Sequence, residues 1–117
     1  MEREELKRAF REVLDEELGF FPAPIARRWE GGNLVFEPNS PELQAKELPI
    51  NVFFKKIVML RDRLRVLEAK LNADPDLLPG RKVELQSYVT RCYGSLTSFN
   101  FLFEDTEDRF VGQKSGD

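Results

Sequence analysis

The stretch FFKKIVMLRDRLRVLEAKL, residues 53–71, carries six Lys or Arg against two acids. Its apolar residues Phe53, Ile57, Leu60, Leu64, Leu67 and Leu71 are spaced 4, 3, 4, 3, 4, the seam of a helix that packs lengthwise against another. Asn51 stands just ahead of it as a good N-cap. The segment ADPDLLPG then breaks the pattern with two prolines and a glycine. Beyond it, Leu85, Val89, Cys92, Leu96, Phe99 and Phe103 repeat the same spacing. Two helices of equal register joined by a short breaker predict an antiparallel helical hairpin over 51–103. Phe99, Phe101 and Phe103 also alternate at the strand period. The unbroken heptad favours helix, and Phe101 then points off the seam and needs cover from a hairpin or a second subunit.

Upstream, residues 1–19 read as an amphipathic helix, with Leu6, Phe10, Val13, Leu14 and Leu18 at helical spacing and Gly19 at the C′ position. Residues 20–50 form a proline-rich connection. Within it, Trp29-Glu30 and Leu34-Val35-Phe36 flank Gly31-Gly32-Asn33, the pattern of a small β-hairpin. Ser40 before Pro41 allows one helical turn before the chain runs extended to Pro49. The fold class is therefore mainly α (α+β), a single helical domain over 1–110 followed by a polar mobile tail over 111–117.

The net charge of −3 hides a polarity along the chain. Residues 1–20 hold four bases and seven acids, and residues 93–117 hold two bases and five acids, so a basic centre lies between acidic ends. With Ile57 at heptad position a, Lys56, Arg63 and Lys70 fall at g and Arg61 at e, while Met59, Val66 and Ala73 make a second apolar line. A helix with two apolar lines contacts more than one neighbour. The second helix offers no acid at its flanking positions. Glu5, Glu12 and Glu16 lie along one flank of the first helix and supply the missing charge, from the same chain or from a second copy. Such pairs stabilise by at most ~1 kcal/mol each when exposed, but they choose partner and orientation.

Histidine is absent, which removes the commonest general base and metal ligand. Cys92 falls on the apolar seam, where a thiol is inert. Gly31-Gly32 fits a turn and not a phosphate loop. The acids Glu104, Asp105, Glu107 and Asp108 lack calcium-loop spacing and read as a solvated tail. No catalytic, metal or cofactor-binding residue is assigned. Gly94, inside the helical run RCYGSLTSF, marks either a bend or a close approach by another backbone. Trp29, beside Arg27 and Arg28, either covers the core or anchors a partner.

The candidate interaction surface is thus Lys56, Arg61, Arg63, Lys70, Trp29, Gly94 and Phe101. No apolar run approaches the roughly 20 residues of a membrane span, the N-terminus is densely charged, and the single cysteine forms no internal disulfide. These features predict a cytoplasmic protein. The reading is a non-enzymatic interaction or scaffold protein, partnered by a second copy of itself or by another protein. The alternative is a nucleic-acid-associated protein using Lys55, Lys56, Arg61, Arg63, Arg65 and Lys70; an acidic chain with no recognition motif makes it the lesser one.

Overall fold

The structure, a computed structural model, describes residues 2–18 and 23–112, without the side chains of residues 11 and 14–18. The expected helix end at Gly19, the apolar positions Leu14 and Leu18, and the tail from residue 113 lie outside what is described. The elements in chain order are helix α1 (Arg3–Leu18), strand β1 (Asn33–Phe36), strand β2 (Lys46–Pro49), helix α2 (Ile50–Ala73) and helix α3 (Pro79–Leu96). Short 3-10 helices follow at Thr97–Leu102 and Thr106–Asp108, and another precedes β1 at Arg27–Trp29. The protein is mostly helical, with a two-stranded antiparallel hairpin and two long helices packed on each other. Among the described residues no helix is long and apolar enough to cross a membrane.

The β-hairpin differs from the sequence expectation in its partner. Gly31 does turn the chain, at φ +79, a backbone that glycine adopts without strain. It joins the 3-10 turn at Trp29 to β1, however, and β1 pairs with β2, Asn33 opposite Pro49 and Phe36 opposite Lys46. Ser40 supports only a local turn, with its Oγ accepting from Glu42 N and its carbonyl from Leu43 N. Helix α2 starts directly after Pro49, whose extended backbone (φ −56, ψ 133) serves as the cap. Asn51 is not the cap: its Oδ1 accepts from Gly31 N at 3.0 Å and ties the turn to the helix.

The break between α2 and α3 is as local as the sequence suggests. Asp76 N donates to Asp74 Oδ1 at 2.9 Å, an Asx turn, and Pro79 opens α3 where a missing N–H costs nothing. Lys82 Nζ reaches back to Asn72 O, and Gln86 Nε2 to Asn72 Oδ1, so the hairpin is laced near its bend.

The C-terminal end of α3 is the main departure. The α-helix stops at Leu96 and tightens to 3-10 geometry over Thr97–Leu102, while Phe103 is extended (φ −82, ψ 135) and bridges Ile25. The run of hydroxyls explains part of this: Thr90, Ser95 and Thr97 each donate to a carbonyl one turn back, which competes with the regular ladder. The rest is tertiary. Ala26 N donates to Leu102 O at 2.7 Å and Glu104 N to Pro24 O at 3.1 Å, on either side of the isolated antiparallel bridge between Ile25 and Phe103.

The core is aromatic and sits at this junction. Phe54, Ile57, Leu102, Phe103 and Phe110 are buried together. Phe103 meets Phe54 edge-on at 5.1 Å and Phe110 at 5.7 Å, the favoured arrangement for ring quadrupoles. Asn100 fixes Phe110 by its backbone, accepting from Phe110 N at 2.7 Å and donating to Phe110 O at 2.9 Å.

Candidate interaction face on helix α2

The face of α2 that the fold buries overlaps the heptad seam only toward its N-terminal end, at Ile57 and in part at Phe53. Phe54, Ile57, Arg61 and Asp62 are its buried residues, while on the seam Leu60 remains 42% and Leu67 46% exposed. At 100° per residue the buried line is displaced by about a quarter turn from the seam. In α3 the buried residues are Val89 and Gly94, and Cys92 is exposed rather than packed. The two seams meet at one end, where Phe53 and Phe99 pack edge-on at 5.4 Å, but they do not close along their length, and Leu60 and Leu67 face solvent. Lys56, Arg63 and Lys70 are exposed on the outer side of that strip, as is Lys55 farther round.

Arg61 was expected on the open surface and is instead 5% exposed. Its Nε donates to Asp108 O at 2.8 Å and its Nη1 to Asp62 Oδ1 at 2.9 Å. The guanidinium satisfies both a buried carboxylate and a buried carbonyl, and so pins the C-terminal segment to α2. Burial drives the Asp62 carboxyl up to about 6, against the opposing attraction of Arg61, and nearby Asp108 raises it further. Arg65, half-buried, is also engaged. Tyr93 OH approaches Glu68 Oε1 at 3.5 Å, and burial with the Glu68 charge pushes its hydroxyl up to about 12. This inward polar row is what sequence reasoning missed. Its only trace is the charge at 61, 62, 65 and 68, of which the heptad places Arg61 and Glu68 at a flanking position.

Gly94 is buried by the chain itself. A Cβ placed on Gly112 would fall 2.7 Å from Gly94 N and from Tyr93 Cβ, so the C-terminal segment crosses α3 at close range. The small residue at 94 is thus spoken for and is removed from the interaction surface. Trp29 and Phe101 do meet: their rings are 5.4 Å apart and nearly perpendicular. Trp29 also packs against the core, and its Nε1 is buried with no acceptor in reach. Phe101 keeps 51% of its surface exposed. The two make a small aromatic shelf.

Helix α1 leaves its own apolar residues open. Leu6, Phe10 and Val13 are each more than half exposed. Between α1 and the body lies an open pocket of about 420 Å³, lined by Glu4, Lys7, Arg8, Phe10, Pro24, Asp105 and Glu107. Five of these residues are charged, Glu4, Lys7 and Arg8 from α1 and Asp105 and Glu107 from the C-terminal segment. Among the described residues, no group of three or more His, Cys, Asp or Glu is placed to hold a metal ion.

A family model described as Domain of unknown function (DUF8685) matches residues 21–109, which takes in the hairpin, α2 and α3 and leaves α1 outside. No curated protein and no solved structure matches the chain.

Proposed function

We propose that this chain, which belongs to the family described as Domain of unknown function (DUF8685), is a non-enzymatic cytoplasmic protein–protein interaction module that associates with itself through the outer seam of α2. The observation that carries the reading is the exposure of Leu60 and Leu67 in an otherwise regular heptad. With nearly half of each leucine still in water, closing over them would return on the order of 1 kcal/mol per side chain, a part of the full burial gain. The bases Lys56, Arg63 and Lys70 along one edge would orient what docks there. A nucleic-acid role is weakened because Arg61 is committed to the core and Arg65 is half-buried and engaged. Only Lys55, Lys56, Arg63 and Lys70 of the six remain exposed.

The test is solution mass across a concentration series for the wild type and for the double variant Leu60→Glu, Leu67→Glu. Both positions are exposed, so circular dichroism should find the fold intact. The expected result is a wild type heavier than the 13.6 kDa chain and a variant at that mass. A wild type at single-chain mass throughout would sink the proposal.

A further inference from the structure

We infer that the element docked on the α2 seam is helix α1 of a second copy, given reciprocally, so that two chains close a symmetric pair; this rests on the docking face proposed above and names its occupant. Three features of the two surfaces match. The first is periodicity: Leu6, Phe10 and Val13 are spaced 4, 3, as are Leu60, Leu64 and Leu67. The apolar stripe of each helix is thus a half-seam of the same pitch, and the α1 trio, Leu60 and Leu67 are all exposed.

The second is length. Helix α1 has 16 residues, about 24 Å at 1.5 Å per residue. The open part of the seam, Leu60 to Leu67, runs about 10 Å by the same rise, Phe53 and Ile57 being packed in the core already. The α1 stripe from Leu6 to Val13 spans the same seven-residue step, so α1 is long enough to cover the open part of the seam.

The third is charge. On α1, Glu5 and Glu12 fall on one side of the apolar stripe when placed at 100° per residue. On α2 the open edge of the seam is basic at Lys56, Arg63 and Lys70. A second copy of α2 would instead set those bases against bases, which an antiparallel pair of this kind opposes. The chain's own α1 lies elsewhere, across the charged pocket formed with Pro24, Asp105 and Glu107. Because each chain owns one seam and one α1, mutual exchange satisfies both surfaces at once and closes with twofold symmetry.

The experiment is a charge-swap mixing test on the full chain, read by light scattering. One variant carries Glu5→Lys and Glu12→Lys; the other carries Lys56→Glu and Arg63→Glu. Each alone places like charges across both docking sites, and each is expected at the single-chain mass of 13.6 kDa. Mixed in equal amounts, every α1 finds a seam of opposite charge, and the mass is expected to double. A mixture that stays at single-chain mass while the wild type is a dimer overturns the exchange. So does a dimer that Leu60→Glu, Leu67→Glu disperses but Glu5→Lys, Glu12→Lys leaves whole; in that case the docking face stands and its occupant is not α1. A wild type that is monomeric at every concentration overturns both readings.

Discussion

Asp62 shows how one residue's surroundings set its chemistry. Its neighbour in sequence, Arg61, turns inward to the Asp108 carbonyl and holds the carboxylate at 2.9 Å. Burial outweighs that attraction and raises the carboxyl from 3.8 to about 6. Between these values the folded chain holds a proton that the unfolded chain has released. The contribution to stability is full below 3.8 and is lost as the pH rises through about 6. A carbon-detected NMR titration should place the Asp62 midpoint near 6, well above the 3.8 of an unperturbed aspartate. Asp62→Asn should flatten the change in stability across this window, measured by urea unfolding at several pH values. A midpoint near 4, or an unchanged pH profile in the variant, would contradict the burial argument.

The two sides of α2 differ in what they are worth, at the level of the element. Ile57 is on both the seam and the buried line and touches the aromatic core. Leu67 is on the seam alone and is 46% exposed. Ile57→Ala is expected to cost about 2–5 kcal/mol, the range for a buried aliphatic truncation. Leu67→Ala, measured at a concentration where the chain is monomeric, should cost well under about 1 kcal/mol, since surface changes away from special features are small. Equal losses at the two positions would mean that the seam, not the shifted line, is the packed face. The same comparison explains why a heptad reading of this helix is half right. Periodicity reports where apolar residues lie, and here they cover an arc wider than one neighbour fills.

At the scale of the whole molecule, the chain is elongated. Its radius of gyration is 17.5 Å, where a compact chain of about 100 residues has about 13 Å. An extended outline with two open apolar stripes is poorly buried as a single copy, and small chains gain most from burying such surface. A reciprocal dimer links folding to concentration by mass action. The melting temperature of the wild type should rise by about a few degrees for each tenfold increase in concentration. The Leu60→Glu, Leu67→Glu variant should show no such trend. A wild-type melting temperature independent of concentration would count against association.

Much of this architecture was legible in the linear chain. The breaker ADPDLLPG, Pro79 at a helix start, the turn at Gly31 and three helical segments follow from local rules, because caps, turns and periodicity act over a few residues. The basic flank at Lys56, Arg63 and Lys70 was legible for the same reason. What local rules left open was settled by contacts across the fold. Arg61 is a seam-flank base by spacing, yet it is buried because Asp108, 47 residues away, offers it a carbonyl. Phe103 continues a helical heptad by spacing, yet it is extended because Ile25 pairs with it. Gly94 could receive any backbone, and it receives the one at Gly112. Each of these outcomes depends on partners distant in sequence, and a periodic pattern carries no information about which of its faces such partners will occupy.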